Sequence, residues 1–277
     1  MLGSLLIVFR EVMEAGLIIG IVLAATQGIA HRGRWVAGGI AAGVAGAAIV
    51  ALFAGSLSQA LSGNGQDVFS ASILCVAVLM LGWHTIWMTR HGREMAGDMR
   101  ALGAQVASGQ RSLTAMAVVV AVAVLREGVE VVLFLYGIAV STHSGPMAML
   151  TGGMLGIVAG GAVSWLLYRG LIVIPLHRLF GVTGVLIAFL AAGMASQAAA
   201  LLAGDDIIPA CGYEMWDTSW LLSDGSMIGR AAKALFGYSD RPMGIQLIAW
   251  VITLGVMIVA TRLVARRPSA ARVTASS

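Results

Sequence analysis

The sequence predicts an all-α integral membrane protein with seven transmembrane helices, arranged as two inverted three-helix repeats and one extra C-terminal helix. Composition supports this class first. Hydrophobic residues make up 59% of the 277 residues and charged residues only 11%, whereas a soluble domain carries about 25% charged residues. Glycine is abundant, with 36 residues, as is common where membrane helices approach closely. The third observation is that one charged motif occurs twice, each time inside an apolar stretch.

Seven stretches of the chain are apolar enough to cross a membrane. A helix needs about 20 apolar residues to span a hydrocarbon core roughly 30 Å thick. The stretches lie at about 4–28, 36–59, 68–89, 114–140, 147–169, 180–203 and 243–264. The first lacks the basic start of a secretory signal and is interrupted by charges, so we interpret it as a retained helix. The tail, 265–277, is predicted to be disordered.

The loops between these stretches alternate in charge. Lys and Arg are absent from 60–67 and 141–146, and arginines occur in the loops after the first, third and fifth stretches and in the tail. The positive-inside rule then places the N-terminus outside and the C-terminus in the cytoplasm of a multi-pass protein of the cell (inner) membrane. Because the basic residues are confined to short loops and the tail, a nucleic-acid partner is not expected, and the lipid bilayer is.

The chain also repeats itself. Arg10-Glu11-Val12-Met13-Glu14 in the first stretch matches Arg126-Glu127-Gly128-Val129-Glu130 in the fourth, and a glycine pair follows each at similar spacing. A unit of three helices is odd, so the second copy inserts upside down, a recurrent plan in transporters. The predicted organisation is a first repeat at 1–112, a second at 113–203, an outer segment at 204–242, a seventh helix at 243–264 and a cytoplasmic tail at 265–277.

Each motif puts three charged residues into one apolar helix. A charge at a helix centre costs roughly 2.5–3.5 kcal/mol on insertion scales, which usually marks a functional site. The two glutamates of a motif are three residues apart and share a helix face, and the arginine can reach the second glutamate. Because the two helices run antiparallel, four carboxylates can converge. The predicted metal ligands are Glu11, Glu14, Glu127 and Glu130, supported by Arg10 and Arg126.

The composition of this site indicates the kind of ion. Carboxylates in a low dielectric repel one another unless they are protonated, paired with arginine or bound to a cation. Four glutamates and two arginines leave a formal charge of about −2, which suits a multivalent cation. Oxygen ligands favour Mg²⁺, Ca²⁺, Mn²⁺ and Fe³⁺, and the set lacks the histidine and cysteine expected of zinc or copper. Structural ion pairs that fix helix packing are the alternative.

Four further residues are candidates for the ion path. His84 lies in the third stretch and Gln197 in the sixth, and either could instead form hydrogen bonds within the bundle. Glu214 and Asp217 belong to the acidic outer segment and could concentrate cations at an entrance. The alternative is that this segment is a solvated connector.

The paired Arg-Glu-x-x-Glu motif resembles that of the oxidase-dependent iron permeases, a family that includes the fungal high-affinity iron permease and bacterial elemental-iron uptake permeases. The stretches 81–88 and 216–219 also resemble this family. The resemblance implies transport of iron, expected as the ferric ion, delivered or oxidised by an extracytoplasmic oxidase or iron-binding protein. It also implies that the motif glutamates handle the ion. One departure is Val12, where the family has glycine.

Other functions stay open on the residues alone. The site could serve another divalent or heavy metal, because carboxylates do not select iron. A membrane metalloenzyme is disfavoured because the Glu-x-x-His motif of di-iron bundles is absent. A proton-coupled carrier of organic solutes would need more hydrogen-bonding groups than the spans offer. We therefore predict a permease and not an enzyme, with iron as the transported ion and no permanently bound cofactor.

Overall fold

The computed structural model describes residues 1–60, 66–142, 145–170 and 176–266. Regular structure in these ranges is helical throughout, which confirms the all-α prediction. The helices are α1 (Leu2–Ala25), α2 (Arg32–Ala60), α3 (Gln66–Ala107), α4 (Leu113–Thr142), α5 (Pro146–Tyr168), α6 (Leu176–Gly204), α7 (Met227–Phe236) and α8 (Gly244–Arg266). Most of the predicted tail and parts of the loops 60–67 and 141–146 lie outside the described residues.

Five helices in the described ranges are long and apolar enough to cross a membrane. Their candidate spans are Arg32–Ala54, Asp67–Met88, Pro146–Tyr168, Gly181–Gly204 and Gly244–Val264. α1 and α4 are also long, with 24 and 30 residues, but each carries the three charged residues of a motif. The count of seven spans therefore stays a prediction, and five spans are sufficient to indicate a multi-pass membrane protein.

α3 is much longer than the predicted third span. The sequence predicts a loop at 90–111 because charged residues are frequent there. This prediction is wrong for 90–107, which belong to α3, and the helix ends at Ala107. The apolar residues Met99, Leu102 and Val106 recur at helical spacing within the charged stretch. Val106 is buried in an apolar cluster with Val22, Val36, Met116, Val120 and Val124.

The outer segment contains a helix that the sequence analysis did not predict. The hydroxyl of Ser226 accepts a hydrogen bond from the backbone N–H of Gly229 and so caps the start of α7, and Gly237 ends it with a φ of 69°. Phe236 packs edge-to-face on Phe189 of α6. A serine before the helix and a glycine after it are common capping signals, so the sequence did carry the information.

Two helix pairs pack closely through glycine. α1 packs along α5, and α2 packs along α4. A Cβ atom on Gly156 of α5 would lie 2.8 Å from the carbonyl oxygen of Leu5, and one on Gly43 of α2 would lie 2.7 Å from the carbonyl oxygen of Ala121. Only glycine permits this approach of two backbones.

Two apolar clusters fill the two ends of the bundle. The first lies toward the start of α1 and the end of α4; its fully buried members include Ile7, Leu74, Phe134 and Ile138. The second lies toward the end of α1 and the start of α4, and is the cluster that contains Val106. The charged motifs are located between these clusters, because Glu11 and Glu130 are each one helical turn from the first cluster.

Candidate ion site

The two charged motifs lie near the middle of α1 and α4, which are in direct contact. The side chains of Arg10, Glu11, Glu14, Glu127 and Glu130 are all buried. Arg126 is the exception, with 42% of its side chain exposed. The structure therefore brings together the six motif residues that the sequence predicts to form the site, and it distinguishes one of the arginines from the other.

In the motif of α1, the arginine contacts both glutamates of its own helix. Nε of Arg10 lies 2.8 Å from Oε1 of Glu14, and Nη1 lies 3.5 Å from Oε1 of Glu11. The predicted contact between Arg10 and Glu14, one turn apart, is confirmed. One buried guanidinium thus serves two carboxylates.

The motif of α4 is more open. Nε of Arg126 donates to Oε1 of Glu130 at 3.2 Å, which confirms the second predicted contact. Its guanidinium carbon lies 4.7 Å from the ring centroid of Trp87, a cation–π contact. Among the residues that the structure describes, Glu127 has no ion-pair partner. The two motifs therefore differ in how their arginines are used.

His84 of α3 lies between the two motifs. Its Nε2 is 3.1 Å from Oε2 of Glu14 on α1, and its Nδ1 is 2.5 Å from Oε2 of Glu130 on α4. The predicted ligand set contains no histidine and stays a prediction, whereas His84, a candidate for the ion path, has its imidazole within the cluster. Spacing along one helix could not reveal it, because α3 supplies this residue through tertiary packing.

The arrangement can hold a cation. Ligand atoms of Glu11, His84, Glu127 and Glu130 all lie within 4.8 Å of one another. In the described part of the chain, one carboxylate oxygen of each of the four glutamates is buried without a partner in hydrogen-bond geometry. A buried oxygen without such a partner is unfavourable. A metal ion placed among the ligand atoms of Glu11, Glu127 and Glu130 would satisfy oxygens of this set.

A groove between α3 and α4 reaches the edge of this cluster. Its volume is about 360 Å³, and its lining residues are Leu79, Met80, Trp83, His84, Arg126 and Glu130. Ionisable groups inside a membrane usually face a protein interior or a water-filled cavity. The exposed part of Arg126 is located in this groove.

Gln197 is not part of the cluster. It lines a separate polar cavity with Ser141, Lys233, Tyr238 and Gln246, among others, and the cavity has a volume of about 10 Å³, which is room for about one water molecule. The role of Gln197 in an ion path stays a prediction.

Glu214 and Asp217 lie exposed in the outer segment and are paired with a base. Arg241 contacts Glu214 at 3.9 Å and Asp217 at 3.0 Å. The hydroxyl and the backbone N–H of Ser219 donate to Asp217, and together with Arg241 they hold the pKa of this carboxyl below its usual value. Asp217 is therefore charged at neutral pH, but Arg241 offsets part of the field of the two acids. Their role at an entrance stays a prediction.

The fold and the cluster together define a class of protein. Several apolar helices enclose carboxylates and arginines at the middle of the bundle, and ionisable residues in such a place commonly mark an ion pathway. The molecule is a multi-pass membrane protein with a buried, carboxylate-rich cluster.

The chain belongs to the iron permease FTR1 family, whose model matches residues 1–271. It is 31% identical over 263 residues to the ferrous iron permease EfeU of Escherichia coli O6:H1, covering 92% of this chain and 93% of that protein. It is 32% identical over 279 residues to EfeU of Shigella sonnei, covering 98% and 97%, and 30% identical over 245 residues to EfeU of Yersinia pestis, covering 86% and 84%. No solved structure matches the chain. The predicted family is confirmed, as is the prediction of a permease and not an enzyme.

Proposed function

We propose that this chain carries iron across the cell membrane into the cytoplasm through the cluster formed by its two Arg-Glu-x-x-Glu motifs. The observation that carries the proposal is the convergence of Glu11, Glu127 and Glu130 with His84, whose ligand atoms lie within 4.8 Å of one another. This convergence occurs inside a member of an iron permease family.

The charge of the cluster favours the ion of lower charge. Four glutamates and two arginines leave a formal charge of about −2, and about −1 when His84 carries a proton on both nitrogens that face Glu14 and Glu130. Fe²⁺ therefore leaves less excess positive charge in a low dielectric than Fe³⁺. The relatives carry the name of ferrous iron permeases. The ferric ion that the family resemblance implies is the second candidate. Another divalent metal is the third.

The proposed architecture is seven spans in two inverted repeats plus α8, with the N-terminus outside. Its support is the equivalence of two packed pairs. If α4–α6 repeat α1–α3, then α4 is the counterpart of α1 and α5 is the counterpart of α2. The contact between α1 and α5 then corresponds to the contact between α4 and α2, and in both contacts the close approach is through glycines, of α5 in the first and of α2 in the second. The alternation of charge in the loops supports the orientation.

An outer partner is also proposed, either an oxidase or an iron-binding protein. The segment between α6 and α8 exposes large apolar side chains beside its acids, including Trp220, which is 81% exposed. Tryptophan is enriched at protein interfaces and at the edge of the bilayer. A segment of this length and composition exceeds what a connector needs.

Uptake of radioactive iron into proteoliposomes tests the proposal. Each of the four variants Glu→Gln keeps the size of the side chain and removes its charge, so we expect membrane accumulation to be kept and uptake per folded molecule to fall strongly. Ser196→Ala, a buried polar residue of α6 outside the cluster, is the control and should transport normally. Near-normal uptake in all four glutamate variants would reject the proposed site.

The same vesicles distinguish the ions. Iron kept reduced with ascorbate should enter faster than ferric iron held by citrate, and Mn²⁺ or Zn²⁺ in excess should compete weakly. Faster entry of the ferric ion would reverse the choice of oxidation state, and strong competition would favour a general divalent permease. A metalloenzyme would instead keep its metal through purification.

A further inference from the structure

We infer that His84 is a positioning residue: it ties the second glutamates of the two motifs, Glu14 and Glu130, to each other and leaves the first glutamates, Glu11 and Glu127, as the primary ligands of the ion. The inference rests on the proposed function and assigns different tasks to glutamates that look equivalent in the sequence.

Both oxygens of each second glutamate lie within 3.2 Å of an arginine or histidine nitrogen, although Oε1 of Glu14 and Oε2 of Glu130 do not meet that nitrogen in hydrogen-bond geometry. In Glu14, Oε1 contacts Nε of Arg10 at 2.8 Å and Oε2 contacts Nε2 of His84 at 3.1 Å. In Glu130, Oε1 accepts from Nε of Arg126 at 3.2 Å and Oε2 contacts Nδ1 of His84 at 2.5 Å. Contacts that involve a charged partner are the strong ones. An ion that took these carboxylates would have to displace such partners.

The first glutamates have fewer basic partners. Glu11 has one long contact with Arg10, at 3.5 Å. Glu127 has no ion pair within the described residues, and its side chain is hydrogen-bonded to Glu11. Both carboxylates contribute atoms to the group that spans 4.8 Å, as do Glu130 and His84. An ion can therefore bind to Glu11 and Glu127 without displacing a short contact with a basic side chain.

His84 supplies the connection between the two halves. Its ring is buried, with 3% exposed, and its two nitrogens contact carboxylates of two different helices, α1 and α4. Without this ring, Glu14 and Glu130 would repel each other and move, and the motif faces would separate. Loss of a residue that orients metal ligands typically lowers metal affinity about 10–100-fold.

Two substitutions test the positioning role in the intact protein. His84→Gln keeps a polar side chain that reaches one carboxylate, and His84→Phe keeps a ring without nitrogen. For His84→Gln we expect the half-saturation concentration for ferrous iron to rise about 10–100-fold, with the maximal rate per folded molecule little changed. His84→Phe should be affected more severely. Ser196→Ala should match the unmodified protein in both parameters.

A double-mutant cycle separates this role from simple stabilisation. His84→Gln combined with Glu14→Gln should be scarcely worse than the stronger single variant, since both break the same connection. His84→Gln combined with Ser196→Ala should be additive. If the effects of His84→Gln and Glu14→Gln add fully, the positioning role is rejected.

Pulsed EPR of the protein in excess Mn²⁺, in the absence of iron so that the weaker ion occupies the site, separates positioning from ligation. We expect no imidazole-nitrogen coupling that disappears in His84→Gln. Such a coupling would show that His84 binds the ion directly and would overturn the inference. An unchanged half-saturation concentration in His84→Gln would also overturn it. If His84→Phe fails to accumulate in the membrane, His84→Gln alone tests the positioning role.

These results are distinct from a failure of the proposed site. If Glu11→Gln and Glu127→Gln transport normally along with the other two variants, the site itself is wrong. If the first-glutamate variants lose uptake while the second-glutamate and His84 variants keep normal half-saturation, the site stands and only the role of His84 is wrong. The inference expects the largest loss of uptake at Glu11 and Glu127 and a smaller loss at Glu14 and Glu130.

Discussion

Val12 of α1 packs directly on Gly160 of α5: a Cβ atom on residue 160 would lie 3.0 Å from the Cβ atom of Val12. In the other half, the counterpart of Val12 is the small residue and its neighbour on the facing helix is larger. There Gly128 of α4 faces Ala47 of α2, whose Cβ atom would lie 2.5 Å from a Cβ atom on residue 128. The valine that departs from the family motif is thus accommodated by a glycine on the facing helix.

This exchange of sizes predicts a coupled pair of substitutions. Gly160→Ala should overpack the contact between α1 and α5 and destabilise the protein by about 1–3 kcal/mol. Val12→Gly should also destabilise it, through lost packing and helix propensity. Combining the two should recover part of the loss, in proportion to a coupling of about 0.5–3 kcal/mol. The thermal midpoint in detergent measures this, and strict additivity would show that the two residues do not compensate each other.

The two arginines should not be equivalent. Arg10→Gln leaves the buried Glu11 and Glu14 without their shared guanidinium, and breaking a buried pair costs about 3–5 kcal/mol. Arg126 is partly exposed, and Glu130 keeps His84 when Arg126 is replaced. We therefore expect Arg10→Gln to accumulate poorly in the membrane and Arg126→Gln to accumulate better. Equal amounts by quantitative immunoblotting and gel filtration would contradict this asymmetry.

The ion pairs of Arg241 with Glu214 and Asp217 predict opposite changes in the half-saturation concentration when the acids or the base are replaced. If Asp217 and Glu214 lie at the entrance as proposed, replacing them with their amides should raise the half-saturation concentration for uptake, because negative charge that attracts the cation is lost. Arg241→Gln should lower it, because the same two carboxylates lose their neutralising base. Both effects should weaken with added salt. If uptake kinetics are the same in all of these variants, the segment is only a connector.

A native cysteine reports the orientation. Cys211 is exposed in the segment between α6 and α8, so an impermeant maleimide should label it in intact cells, and Cys211→Ser should abolish the label. Gln110→Cys, introduced into the Cys211→Ser protein, lies at an exposed turn after α3 and should react only after the cells are opened. The reverse pattern of labelling would invert the topology and the side of entry.

Sequence and structure agree where the interactions are local. Arginine and the second glutamate of a motif are four residues apart on one helix, so the contacts Arg10–Glu14 and Arg126–Glu130 follow from helix geometry alone. The apolar stretches likewise define most of the helices. The capping residues Ser226 and Gly237 were equally readable, but they lie in a segment that looks like a loop by composition.

The remaining features depend on tertiary packing. Nothing in the spacing of α1 or α4 indicates that His84, on a third helix, stands between Glu14 and Glu130. The unequal surroundings of Arg10 and Arg126 depend on the position of Trp87 and of the groove beside it. The sequence does not predict the full length of α3, because the charged residues of 90–107 favour a loop, although the apolar residues of this stretch keep helical spacing.

The two apolar clusters at the ends of the bundle have an electrical consequence. Ile7, Leu74 and Phe134 on one side of the glutamates have no exposed surface, nor have Val22 and Met116 on the other, so at these positions the described residues leave no surface for a hydrated ion. We therefore expect this conformation to block protons and sodium. The membrane voltage, worth about 2.3 kcal/mol per elementary charge for each 100 mV, would then be preserved for the proposed inward movement of a cation.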